Sequence, residues 1–210
     1  MLNRIKSSVI YIPTFIAAST GMRLSEVIGL TWKNVDLSEK TITVAQGLHW
    51  KKDGTWHIAY PKSKRSKRTI DIDDADVAVL KAQKAKQVQG KLLLGDQYHD
   101  HGFVCAKPDG SPMKHNTISN RFKRFAGGLG LPVSYHCLRH THAKLLIEYG
   151  MEMRTVSEKL GHYKPSFTWD RYTHFERSKH KQAAKVFHAL LAGCGSSNSQ
   201  AVPLASSDDR

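Results

Sequence analysis

Carboxylates are in short supply. The 210 residues carry 18 Asp and Glu against 32 Lys and Arg, a formal charge of +14, and the acidic residues present make no carboxylate-rich metal site. Cysteine is scarce too. Cys105, Cys137 and Cys194 are odd in number and widely spaced, with no C-x-x-C pair, which argues against a disulfide framework and for a reducing compartment. Long apolar runs are also missing. The one candidate, residues 9–18 behind Arg4 and Lys6, contains Pro13 and lacks a small-x-small cleavage pattern. It reads as a buried helix rather than a secretory signal, and it is too short to span a bilayer. No internal repeat is evident.

What is abundant is positive charge. Such an excess favours a polyanionic partner, with DNA ahead of an acidic membrane. Twelve histidines invite a zinc reading, yet neither His99/His101 nor His140/His142 lies near a matching cysteine pair, so they are expected on the surface or facing DNA. With 40% hydrophobic residues, the chain can build one good-sized core.

The pattern predicts an α+β fold, mainly α-helical, with a small antiparallel β-sheet near the N-terminal half. A core helix is expected over 7–19, ended by Gly21, then a short helix over 24–30 that turns Leu24, Val27 and Ile28 inward. β-formers at 41–44, a turn at Lys52-Asp53-Gly54, a returning strand at 55–60 and a third strand at 69–72 make up the sheet. Asp73 and Asp74 cap a helix running to about Gln89, with Lys81, Lys84 and Lys86 on a basic face. Residues 90–110 read as irregular, with a possible strand at 103–105 and a turn at Pro108-Asp109-Gly110. Further helices are expected over 115–125, 136–149, 153–160, 165–174 and 176–191. The last is amphipathic, suited to packing in cis or against another protomer. Residues 1–192 are taken as one domain and 193–210 as a disordered tail.

Six polar residues stand in contexts that look built to aim them: Arg23, Lys62, His136, Arg139, His162 and Tyr172. Arg23, in TGMRLSEVIGLTW, follows a glycine turn at a helix entrance where free N–H groups also face an anion, and Glu26 one turn on can orient its guanidinium. Lys62, Lys64, Arg65, Lys67 and Arg68 crowd the hairpin PKSKRSKRTIDI, which can set several cations along phosphates. His136 and Arg139, in SYHCLRHTHAKLL, share a helix face and can both donate to one phosphate, while Leu138, Leu145 and Leu146 anchor the helix. In LGHYKPSFTWDRYTHF, Gly161 closes a helix, His162 sits in the turn and Tyr172 follows on the next helix, with Trp169 as that helix's core anchor. Each motif alone has a plain structural reading. Together they suit a centre that holds a phosphodiester while a phenol attacks it.

In order along the chain, TGMRLSEVIGLTW, the lysine hairpin ending in RTI, HCLRHTHA, and LGH followed by Tyr172-Thr173-His174 resemble the boxes of the tyrosine recombinase (phage integrase) family. The resemblance covers about residues 8–190 and implies the catalytic-domain fold of that family. It further implies Tyr172 as nucleophile through a 3′-phosphotyrosine, Arg23 and Arg139 as clamps on the non-bridging oxygens, and Lys62 as general acid. His136 and His162 then serve proton handling and hydrogen bonding, and Glu26 supports. No metal and no nucleotide cofactor are implied, since the phosphotyrosine link conserves the bond energy. The implied partner is double-stranded DNA, with self-association into a tetramer on it, in a bacterial or phage-encoded cytoplasmic protein. The N-terminal helical DNA-binding domain usual in the family finds no counterpart before the first box, so a catalytic domain alone is expected. Competing readings are a non-catalytic DNA-binding remnant of an integrase and a type IB topoisomerase-like DNA relaxation enzyme.

Overall fold

The computed structural model describes residues 2–60 and 67–161, which belong to one compact unit. The expected helices at 165–174 and 176–191, Trp169 and the tail lie outside the described residues, as do Lys62, Lys64, Arg65, His162 and Tyr172.

After a 3-10 turn, α1 (Tyr11–Thr20) is stopped by Gly21, whose left-handed φ of 69° lets its N–H return to the Ala17 carbonyl. This is the glycine stop the sequence calls for. Then α2 (Leu24–Ile28) buries Leu24, Val27 and Ile28 as expected.

The expected single sheet is instead two. One has the order β1-β2-β5, from Val35–Asp36, Thr41–Val44 and Arg68–Asp71, and the other pairs β3 (Gly47–Trp50) with β4 (Trp56–Ala59). The Lys52–Gly54 turn is present, but the strand it returns to is β3, with Trp50 opposite Trp56. Gly-Leu-His-Trp has too few β-branched residues to announce itself as a strand. β2 pairs antiparallel with β5, Ile42 opposite Ile70.

Asp73 caps α3 (Asp74–Leu94) by accepting from the Asp76 N–H. The helix runs five residues beyond the expected end at Gln89 and stops at Gly95, φ 51°. Gly90 lies inside it without breaking it, a cost of about 1 kcal/mol that tertiary contacts absorb. Gln87 ties α3 to the following loop through the Phe103 and Val104 carbonyls and accepts from the Trp32 indole. The expected strand at 103–105 is reduced to isolated bridges.

The last described elements are α4 (His115–Gly127), α5 (His136–Glu148) and α6 (Met153–Leu160). On α5 the buried stripe is Arg139, Ala143 and Ile147, at i, i+4 and i+8. Leu145, expected to anchor the helix, is off that stripe and 46% exposed, because residues two positions from a helical stripe face another way. Phe122 of α4 is wholly buried and meets Tyr135 edge-on, with ring centroids 5.2 Å apart. The Tyr135 hydroxyl donates to the Pro13 carbonyl at 2.6 Å, pinning α5's start to α1. No described helix is long and apolar enough to cross a membrane.

Candidate active site

Arg23 stands in extended conformation just ahead of α2, φ −68° and ψ 150°. Its N–H donates to Glu26 Oε2 and its Nη1 to Glu26 Oε1, both at 2.9 Å. The backbone N–H nearest the Arg23 side chain is thus taken by Glu26, in a helix of five residues. Glu26 holds Arg23 as expected, and it leaves that side chain 42% exposed.

Arg139 reaches the same place from α5. It is 3% exposed; its Nη1 donates to the Gly21 carbonyl and its Nη2 to the Leu160 carbonyl, each at 2.7 Å. The guanidinium thus fastens the turn that presents Arg23 to the C-terminal end of α6, where unpaired helix carbonyls favour a cation. His136, one turn before it at the start of α5, meets His140 edge-on at 4.6 Å.

Arg23, His136 and Arg139 all line a single cleft of about 310 Å³. His115, Ser119 and Ser134 line it too. Nothing in the sequence singled these three out. His115 opens α4, and Ser119 follows one turn later on the same helix; only the packing of α4 beside α2 brings them in. The lining is rich in donors and cations, the chemistry that stabilises charge building on phosphoryl oxygens.

Two of the hairpin cations fall within the described residues. Lys67 is exposed at the foot of β5. Arg68, expected among the DNA-facing cations, is instead turned inward, with its side chain 6% exposed. Its Nη2 and Nη1 donate to Glu26 Oε2 and Oε1 at 2.8 and 3.2 Å, and its Nε to the Lys159 carbonyl at 2.8 Å. The reason is strand alternation: Arg68 shares a face with Ile70, and that face packs inward. Burial raises the Glu26 pKa, but Arg68 and then Arg23 outweigh it and hold the carboxyl below its ordinary value.

Two glycines permit the close approach. A Cβ on Gly21 would fall 2.6 Å from Leu160 Cδ2 and 2.8 Å from His142 Cδ2. Gly161, the left-handed cap of α6 at φ 67°, lies against the Arg68 guanidinium, where a Cβ would be 3.1 Å from Nη1. His142, expected on the surface, is packed beneath Gly21 with Nδ1 3.0 Å from the Ala18 carbonyl and Nε2 buried. Burial, with the charges of Lys159 and Arg139, outweighs the carbonyl's pull and lowers its pKa.

Comparison with known proteins agrees with this picture. Residues 4–179 match the phage integrase family. A tyrosine recombinase XerC-like protein of Caldanaerobacter subterraneus is 29% identical, over 84% of this chain and 48% of its own length. The ICEBs1 integrase of Bacillus subtilis is 31% identical, with 84% and 48% covered, and the integrase of Staphylococcus phage L54a 32%, with 84% and 51%. The chain spans about half the length of these curated relatives. Among solved structures, the Tn1549 transposon integrase in complex with a circular intermediate DNA superposes with a TM-score of 0.72 at 22% identity, covering 87% of this chain and 62% of that one. XerA recombinase gives 0.63 at 21%, covering 85% and 59%. The fold is that of a tyrosine recombinase catalytic domain, and the chain belongs to the phage integrase family.

Proposed function

We propose that the chain is the catalytic region of a site-specific DNA recombinase or integrase, which cleaves and rejoins DNA strands through a 3′-phosphotyrosine. One observation carries the reading: the Arg23 box and Arg139, whose contact through Gly21 joins residues 118 positions apart, open with His136 onto one cleft. The charge of +14 suits a DNA partner. Relatives named as integrases and recombinases, and a similar fold solved on DNA, support the same substrate.

In this reaction the Tyr172 oxygen attacks phosphorus, its proton passing to a histidine, His136 or His162. A new P–O bond to tyrosine forms as the bond to the 5′ oxygen breaks, and Lys62 supplies the proton that the departing oxygen takes up. Arg23 and Arg139 hold the non-bridging oxygens through the pentacoordinate state, where charge is greatest. A 5′ hydroxyl attacking the phosphotyrosine reverses the step, so rejoining needs no cofactor. Lys64, Arg65 and Lys67 contact phosphates beside the scissile bond. The assembly that exchanges strands is a tetramer on DNA, acting in the cytoplasm.

The test uses a pool of nicked duplexes of randomised sequence, in which loss of the short fragment beyond the cut traps the intermediate. Wild type is expected to give a protein–DNA adduct that survives denaturation, and Tyr172→Phe none. Binding without any adduct would turn the reading to a binding-only remnant. Plasmid relaxation without strand exchange would turn it to a topoisomerase.

A further inference from the structure

Arg68 lies in the most basic stretch of the chain and yet does not face outward. Three of its nitrogens are committed, two to the Glu26 carboxylate and one to the Lys159 carbonyl. Each commitment reaches a different box. Glu26 is the group that holds Arg23. Lys159 is in the last turn of α6, one residue before the Leu160 carbonyl that Arg139 takes and two before Gly161, from which the chain continues to His162. Arg68 itself opens β5, just after the segment that carries Lys62.

We infer that Arg68 is a positioning residue for strand cleavage, a buried bridge that sets the Arg23 guanidinium and the C-terminal end of α6 relative to the foot of the Lys62 hairpin. The inference rests on the recombinase reading above. The physical argument concerns how one carboxylate is shared. With Arg68 donating to both Glu26 oxygens, the buried charge stays compensated while Arg23, exposed on one side, turns toward a phosphate. Without Arg68, Glu26 draws Arg23 as its counter-ion and competes with the substrate for it, because a buried carboxylate without a partner is strongly disfavoured. The Lys159 carbonyl would lose its donor as well, and the turn at Gly161 its packing surface.

The experiment takes the full chain and one nicked duplex recovered from the randomised pool by wild type, and follows both DNA affinity and the rate of adduct formation. Arg68→Met is expected to slow cleavage about 100-fold, the scale of a misplacement of about 1 Å at a reacting centre. Its DNA affinity should stay within about three-fold of wild type, since a buried cation releases no counterions from DNA. Arg68→Lys should fall between, because an ammonium cannot fork between a carboxylate and a carbonyl. Adding Glu26→Gln to Arg68→Met should restore part of the lost rate by removing the charge that captures Arg23. Wild-type cleavage by Arg68→Met, a parallel loss of affinity and rate, or a double variant slower than the single one would each overturn the inference. Should Arg68→Met fail to fold, Arg68→Lys decides: a full cleavage rate overturns the bridge, and a reduced rate at unchanged affinity supports it. A wild type that yields no adduct from any duplex overturns the recombinase reading and this inference with it. A reactive wild type whose rate ignores Arg68 overturns this inference alone.

Discussion

Replacing Gly21 with alanine separates two costs that are usually mixed. Gly21 and Gly102 share a φ of 69°, but a Cβ at Gly102 meets nothing within 4 Å, whereas one at Gly21 would press on Leu160 and His142 at 2.6 and 2.8 Å. Gly102→Ala should therefore show the left-handed backbone penalty alone, about 1–2 kcal/mol. Gly21→Ala should show that penalty plus about 1–3 kcal/mol for overpacking, and a total of about 2–5 kcal/mol. With a urea slope of about 2 kcal/mol per molar, a gap of about 2 kcal/mol between the variants separates their midpoints by about 1 M. Both are measured by urea unfolding followed by circular dichroism. Because the Gly21 carbonyl takes the Arg139 guanidinium, Gly21→Ala should also slow cleavage in the nicked-duplex assay, while Gly102→Ala should not. Coincident midpoints for the two variants would refute the reasoning, since the two glycines share their φ and differ in what a Cβ would meet.

Glu26 makes stability depend on pH in a defined direction. Its folded pKa lies below the ordinary 4.5, so its contribution is complete above about pH 4.5 and fades as the pH drops through the depressed value. Melting temperatures of wild type should fall more steeply on the acid side than those of Glu26→Gln; parallel curves would contradict the ion-pair account. Tyr135→Phe removes the donor to the Pro13 carbonyl and should cost about 1–2 kcal/mol. Calorimetry showing no loss would mean that bond does not tie α1 to α5.

Much of the architecture was written locally. Gly21 and Gly161 stop helices as left-handed caps, the conformation glycine adopts at least cost, and α6 occupies the span expected of it. Asp73 caps α3 as its side chain and position require. Gly90 misled, because a glycine is read as a stop although a helix in good contact tolerates one. β3 was invisible for want of β-branched residues, so the hairpin partner of β4 was assigned to the wrong strand. Arg68 shows where two local signals conflict. Charge density said surface, while alternation with Ile70 said interior, and the alternation prevailed because Glu26 and a helix carbonyl wait on the inner side. The meeting of Arg23, His136 and Arg139 was legible through motif order. His115 and Ser119 were not, since their approach depends on how α4 docks against distant elements, and no local pattern encodes that; Ser134 comes in as the neighbour of His136 in its own box.

The bonds that close the cleft also set a clock for the newborn chain. Gly21 leaves the ribosome 118 residues ahead of the arginine that grips its carbonyl, a wait of about 6–24 s at ordinary elongation rates of about 5–20 residues per second. Until α5 emerges, α1 has neither Tyr135 nor His142 to lean on, so a ribosome-bound fragment that stops short of α5 has Glu26 to hold Arg23 but no Arg139 to fasten the turn that presents it. Positive charge thus comes to the nascent polypeptide well before the cleft that Arg139 closes.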